Sequence, residues 1–587
     1  MIKKRIDKIK NLLGKEQTEI LETAMLLMLP SLLTKLSGLF FNLIAASYFG
    51  TRQEGWNQFL IASAIPEMLT NIFLIGTLGS VVVPTLISCR KKEGIEEFKR
   101  VYNSVVNLSI LIFTIIALIL IVTARQSFPF ILSLVEPNIE VSPQDYNSII
   151  NMMRALFLPQ IVLGASIFIS SALNVYNRYL VPQLAPLFYN VGRILMLFIL
   201  VPLMNFSPWA IVVGVFVGSF LHLIVQIPLV IQLKLNYIPV ISFTNKYVKE
   251  ILIVGLPRIF AIASEHIAFT FNKFLAFGIT GNLAALTYAN SLSLVIPSLF
   301  GYTFAVPAFT VLSEFFEEKE YQKAHSVIIK TLNEMLFLSL PFIISFLVLR
   351  VPIVRLVFGI IPKTNFALED TTLTAWILLW FTVGHIFVCG RWFMYRVFYA
   401  AKDTKIPFAV SFVSLFLTII LSILFSNLFS HNTDFAISQT VFSVENFLTR
   451  GTSVAALGGI ALAMSVAYSI EFFALMILFS KTKIKIVWSE LFKTTVPKFI
   501  AGAVMIVVMY FTYKIWNVFA YALPVSASDG YLGSTTINLI LLTFVTVVTS
   551  FMVYYLVCLL LRVEELRILR RYLNPIFRIG GLRIGDN

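Results

Sequence analysis

Phe398-Tyr399-Ala400-Ala401-Lys402-Asp403-Thr404-Lys405-Ile406-Pro407 joins two long apolar runs, and its reading decides the fold. A short basic loop with Asp, Thr and Pro between two bilayer-length runs predicts a tight turn on the cytoplasmic side of a membrane. The same design stands at Asn174-Val175-Tyr176-Asn177-Arg178-Tyr179-Leu180-Val181-Pro182. In both, a proline follows a polar residue (Asn177, Lys402) by five positions and opens the next helix, where its missing N–H costs nothing. Two copies of one hairpin, far apart in an apolar chain, point to a duplicated transporter.

Working outward, the composition supports that reading. Hydrophobic residues make up 58% of the 587 positions and charged residues 13%, which excludes a soluble domain. Apolar runs of about 20 residues recur from Leu21 almost to the end. The first run has no small-residue cleavage site and reads as a retained span. Cys89, Cys389 and Cys558 are scattered, without metal-ligand spacing, and read as packing residues. The net charge of +15 does not point to nucleic acid, because the positive residues sit in short loops on alternate sides of the apolar runs.

These runs predict an all-α polytopic membrane protein of fourteen transmembrane helices. Their cores lie near 22–48, 58–86, 101–124, 147–174, 182–204, 208–233, 249–279, 283–312, 326–349, 372–400, 407–429, 452–480, 497–519 and 536–561. One set of loops is basic, from Lys3 and Lys4 through Arg90-Lys91-Lys92, Arg178, Lys234, Lys319, Lys402 and Lys481 to Arg570-Arg571. The other set, 128–147, 205–208, 430–445 and 524–536, is poor in Lys and Arg. Positive-inside reasoning places the basic set and both termini in the cytoplasm, and the 430–445 loop outside.

The spans repeat. Span one ends at Tyr48-Phe49-Gly50 and span seven at Ala276-Phe277-Gly278, and the helices that follow carry Ile65-Pro66 and Ile296-Pro297. The offset of six helices is even, so the two six-helix lobes form a parallel repeat, followed by two C-terminal helices. The expected organisation is an amphipathic N-terminus over 1–20, an N-lobe over 21–233, a C-lobe over 234–480, a lipid-groove appendage over 481–562 and a basic tail over 563–587.

With turns and repeats in place, the chain resembles the MurJ (MviN) family of lipid II flippases, within a superfamily that also holds multidrug exporters. The resemblance rests on the two turns quoted above, on Ala185-Pro186 and Asn190, on Ile72-Phe73 through Gly76 to Val83-Pro84, and on Pro352 through Leu356-Val357-Phe358-Gly359. It runs to about Leu561. The family's first span carries a Ser-Arg-x-x-Gly-x-x-Arg-Asp pattern. Here that stretch reads Thr34-Lys35-Leu36-Ser37-Gly38-Leu39-Phe40-Phe41-Asn42, so the first cation survives as Lys35 while Phe41 and Asn42 replace the second Arg and the Asp. Asn57 stands for an acidic residue, Thr70 and Asn71 for an arginine pair, and Ala289-Asn290-Ser291 for Ala-Asp-Arg.

The resemblance implies a flippase of the inner (cytoplasmic) membrane, not an enzyme. It would move a polyprenyl-pyrophosphate-linked cell-wall precursor by alternating access, with membrane lipids and cell-wall synthesis proteins as partners. No cofactor is expected, and the coupling would come from Na+, H+ or the membrane potential. The alternatives are a cation-coupled exporter of another lipid-linked oligosaccharide or small molecule, and a non-transporting scaffold. No P-loop, His-x-x-x-His pair or Ser-His-Asp set supports ATP-driven or hydrolytic chemistry.

Charges inside the bilayer cost at least about 2.5–3.5 kcal/mol at its centre and mark candidate sites. Lys35 in span one and Glu265 in span seven occupy equivalent helices with opposite charge and are expected to pair. Arg258, Glu265 and Lys273 fall on one helical face, in a column roughly 22 Å tall, beside His266. The substrate-binding candidates are Lys35, Asn42, Glu67, Arg193, Arg258, Glu265 and Lys273. Arg391 and Arg396 are expected to snorkel to the headgroups, and Glu334 and Glu471 to serve packing or pairing.

Overall fold

The computed structural model describes residues 20–72, 82–136, 141–235, 237–361, 364–522 and 536–566; the side chain of Arg258 lies outside that description. The amphipathic N-terminus, most of the basic tail and the 524–536 loop fall outside it as well. In chain order the α-helices are α1 (Ile20–Phe49), α2 (Glu54–Thr70), α3 (Val83–Val135), α4 (Pro143–Val175), α5 (Leu180–Leu203), α6 (Trp209–Ile224), α7 (Ile227–Gln232), α8 (Lys246–Thr280) and α9 (Leu283–Ser293). A π-helical segment, Pro297–Tyr302, leads into α10 (Thr303–Glu317). Then come α11 (Tyr321–Val348), α12 (Arg350–Phe358), α13 (Leu368–Ala400), α14 (Lys405–Phe429), α15 (Val444–Leu448), α16 (Ala456–Thr482), α17 (Trp488–Ala522) and α18 (Thr536–Leu560). Among the described residues there is no strand.

Twelve of these segments are long and apolar enough to cross a membrane. The two expected spans missing from that set are 58–86 and 249–279. The first runs through residues 73–81, outside the description. The second is one continuous helix, α8, and the side chains of residues 254–262 within it lie outside the description. The stretch expected as a loop from 128 is helical to Val135, because Phe128 is buried against Phe274 and Tyr146, with ring centroids 5.6 and 6.0 Å away. The basic segment after Pro84 is helical too, broken at Gly94, whose φ of 88° only glycine adopts without strain.

The twin turns are the same structure. Arg178 N donates to Leu173 O (2.9 Å) and Asn177 N to Asn174 O (3.0 Å). Asp403 N donates to Phe398 O (3.0 Å) and Lys402 N to Tyr399 O (3.1 Å). This crossed pair satisfies the last carbonyls of a helix and requires a left-handed residue, here Asn177 (φ 55°) and Lys402 (φ 56°). Asp403 then accepts from the N–H groups of Lys405 and Ile406 and starts α14.

The described residues group into two compact units. The first runs to Leu286 and includes Lys363–Phe366 and Ser411–Ile419; the second comprises Thr287–Pro362, Ala367–Val410 and Ile420 onward. The repeat boundary expected at 233/234 rests on the sequence pattern. The grouping by contacts differs from it, because α8 packs against α2 and α3. In the first unit α5 packs along α1 and α6, and α4 against α2, α3 and α6. In the second, α13 packs along α16 and α11, while α17 and α18 pair and lie on α11 and α12. Their core joins Leu336, Phe337, Leu340 and Ile344 to Ala501, Met505, Met509 and Tyr554.

Candidate functional site

The first unit gathers most of the candidate residues. Pro66 lies inside α2, and Glu67 follows it. Glu67 Oε2 accepts from Lys273 Nζ of α8 at 3.1 Å, joining two candidates that the sequence left separate. The Lys273 side chain is 11% exposed and that of Glu67 40%, so the carboxylate end of the pair is open while the ammonium is sheltered. Lys273 also lies 5.6 Å from the Phe269 ring. About two turns before Lys273 along α8 stand His266 and Glu265.

Arg193 of α5 continues the array. Its guanidinium covers the Phe41 ring of α1 at 3.6 Å and lies 5.2 Å from the Tyr189 ring. Arginine stacks well on aromatic faces, so the residue that replaces the family's second arginine supports a cation supplied by another helix. Gly218 of α6 allows this packing: a Cβ there would stand 2.6 Å from Tyr189 O and 3.3 Å from Arg193 Cγ. The first unit thus carries a polar strip of side chains from α5 (Arg193, Tyr189), α2 (Glu67) and α8 (Lys273, His266, Glu265), in which Arg193 lies on Tyr189 and Glu67 pairs with Lys273.

Lys35 stands apart. It is exposed on α1 beside exposed Leu32, Leu36 and Phe40, and has no ion-pair partner among the described residues. The expected Lys35–Glu265 pair does not form; on α8, which packs on α2, it is Lys273 that pairs with Glu67. Asn42 is half-buried on α1. Asn57, in the position of a family carboxylate, is structural: its amide donates to Thr51 O and Gln53 O, and its Oδ1 accepts from Ala284 N at 2.8 Å.

The second unit corrects one expectation. Arg391 does not snorkel. It is 2% exposed, and its Nη1 donates to Glu471 Oε2 of α16 at 3.1 Å, with Glu471 1% exposed. Tyr395 donates to the other carboxylate oxygen, and the Arg391 guanidinium covers the Tyr468 ring at 4.0 Å. α13 packs along α16, so two charges that look isolated in sequence neutralise each other. Arg396 stacks on Tyr302 at 4.8 Å. A further cluster was not anticipated: Lys498, fully buried on α17, donates to Asn333 of α11 (2.6 Å) and Glu565 (2.8 Å). Opposite in-span charges within one repeat were the available signal for Arg391–Glu471. Among the described residues no group of His, Cys, Asp and Glu side chains could hold a metal ion.

Comparison with known proteins agrees with this architecture. The profile of the family described as "Lipid II flippase MurJ" matches residues 45–449, more than half of the chain. A probable lipid II flippase MurJ from Buchnera aphidicola subsp. Acyrthosiphon pisum is 23% identical over 427 residues, covering 72% of this chain and 81% of that protein. The Synechocystis counterpart is 25% identical over 414 residues, 68% of this chain and 75% of that one. Among solved structures, "Lipid II flippase MurJ, inward closed conformation" covers 90% of this chain and 99% of its own, with a TM-score of 0.66 and 19% identity. An inward-facing multidrug resistance MATE family transporter of the MOP superfamily covers 80% and 99%, with a TM-score of 0.58 and 14% identity, a likeness of fold. Sequence match, span pattern and fold converge, and the chain belongs to the lipid II flippase MurJ family.

Proposed function

We propose that this protein moves a lipid II-like precursor, a sugar headgroup on a polyprenyl pyrophosphate, across the cytoplasmic membrane. The observation that carries the reading is the family match over residues 45–449 of a multi-pass chain. The protein is a transporter, not an enzyme. The exporter and scaffold alternatives are not favoured, since the multidrug-transporter likeness is one of fold.

The polar strip of the first unit supports a site for the pyrophosphate. Lys35 has no ion-pair partner among the described residues, Arg193 is held by ring faces, and Lys273 is neutralised by an accessible carboxylate. A diphosphate competing with Glu67 for Lys273 would replace one charge-assisted bond by another. That substitution is a differential contact of the kind a population shift requires. Arg258, Glu265 and Asn42 belong to the same proposal. The α17–α18 pair would offer a groove for the lipid tail. Both termini would be cytoplasmic, the coupling would come from Na+, H+ or the membrane potential, and cell-wall synthesis proteins would be partners.

The test is translocation of fluorescent lipid II in proteoliposomes. Wild type should move it, and Lys35→Ala, Arg193→Ala and Lys273→Ala should each slow it at least tenfold while folding normally. Wild-type liposomes that move no lipid II would overturn the function. Unimpaired variants would overturn the site.

A further inference from the structure

Each unit holds an interruption in a helix, and each meets a buried polar side chain. In the first unit α2 turns π-helical at Asn71 and Ile72, directly after Thr70. Thr70 Oγ1 donates there to Gln160 Oε1 of α4 at 2.7 Å, both side chains being buried. In the second unit Pro297–Tyr302 is π-helical. Pro297 has no N–H, so the carbonyl of Ser293, four residues back, loses its helical donor. That carbonyl faces the ring of His385 on α13. The π-helical segment follows the same helix onward, where a Cβ on Gly301 would stand 3.1 Å from Cys389 Cα. Short π segments inside α-helices recur at functional sites.

The two contacts correspond between the repeats. Gln160 lies 17 residues before the left-handed Asn177, and His385 lies 17 before the left-handed Lys402. In each unit a buried polar side chain at this position thus stands at a helix break. One copy uses glutamine, which does not titrate. The other uses histidine, the side chain that changes charge near neutral pH.

His385 is 4% exposed, and neither ring nitrogen completes a hydrogen bond among the described residues. The ring faces the Ser293 carbonyl without reaching bonding geometry. The acidic and basic groups on helices packed against α13 are Glu314 and Glu317 on α10, Lys323, His325, Lys330 and Glu334 on α11, Arg350 and Arg355 on α12, and Glu471 and Lys481 on α16. Arg391 on α13 itself is paired with Glu471. A neutral imidazole is tolerated in such a place; an imidazolium needs an acceptor or water.

We propose that His385 is a proton-binding site at the break between α9 and α10, and that its protonation shifts this break between two arrangements. In the arrangement described here neither ring nitrogen completes a hydrogen bond. A proton taken from water onto the free ring nitrogen turns both nitrogens into donors. One of them then binds the Ser293 carbonyl that Pro297 leaves without a donor, and the π-helical segment moves to allow it. Thr70–Gln160 is the permanently closed counterpart. The proposal goes beyond the flippase reading and does not rest on it.

The test is a spin label on Leu299→Cys, an exposed position in the π-helical segment, in the full-length protein in lipid nanodiscs without lipid-linked substrate. Cys89, Cys389 and Cys558 are buried, which directs the label to the new site. The spectrum should change between pH 8 and pH 5 with a midpoint at about 5–7. The change should vanish in His385→Gln, which copies the first repeat, and in Pro297→Ala, which returns a donor to the Ser293 carbonyl. A spectrum that does not respond to pH in the wild type overturns the proposal, as does a response that survives either substitution. If His385→Gln fails to fold, Pro297→Ala decides alone.

Discussion

At Arg391, burial turns a peripheral-looking charge into a structural one. The guanidinium and Glu471 are both almost fully enclosed, and Tyr395 completes the carboxylate's shell. Removing one partner of a buried pair strands the other and costs about 3–5 kcal/mol. Arg391→Ala should therefore lower the thermal unfolding midpoint in detergent markedly, and adding Glu471→Gln should recover part of the loss. A double-mutant cycle without coupling between the two sites would refute the pair. Lys402 makes a different residue-scale case. Its left-handed backbone costs an L-residue about 1–2 kcal/mol. Lys402→Gly should leave stability unchanged or raise it, whereas Lys402→Val should lower it by about 1 kcal/mol or more, as read in the same unfolding assay.

Helix ends show how single residues organise elements. The α13–α14 turn is held to the end of α16 by Asp403 and Lys483, 3.0 Å apart. Partial burial pushes the Asp403 carboxyl up, but the Lys483 hydrogen bond, the N–H groups of Ile406 and Lys405 and the Lys483 charge outweigh it and hold the group below its usual range. The sign follows. A carboxylate lowered in the folded state stabilises the protein fully above its unfolded value of about 3.9, and that contribution fades as pH falls through the folded value. Asp403→Asn should cost about 1–3 kcal/mol at neutral pH and should flatten the acid limb of a stability-versus-pH curve below about pH 4. An unchanged acid limb would mean that Asp403 is not the group titrating. Close helix approach is the other element-scale device. Gly218 lets α6 meet the Tyr189 backbone, so Gly218→Val should displace Tyr189 and Arg193 together and reduce both folded yield and transport.

For the molecule as a whole, the alternation of basic and neutral loops implies one orientation. Phe442 is 72% exposed in the 430–450 loop, and the Lys402 side chain is 78% exposed at the α13–α14 turn. With the three native cysteines buried, a cysteine at 442 should react with an impermeant maleimide on intact cells. A cysteine at 402 should react only after the membrane is opened. The reverse pattern would invert the topology. The α17–α18 pair is tied to the second unit through Lys498, Asn333 and Glu565. A buried ammonium with two oxygen partners specifies one seat for that pair of helices along α11.

Span lengths, the cap at each repeat's fourth helix and the duplication were legible because they depend on local properties: apolar runs of bilayer length, a residue that tolerates positive φ, and a proline in the first turn of the next helix. The Asn177 and Lys402 turns are as alike in structure as in sequence for that reason. Which in-span charges meet was not legible at all. Lys273 finds Glu67 across 206 residues, and Arg391 finds Glu471 across 80. Sequence carries a charge's sign and depth along its own helix, but not the rotation of that helix against its neighbours. Packing sets that rotation: α8 lies on α2 and α13 on α16, so Lys35 remains without an ion-pair partner among the described residues while Arg391 is enclosed.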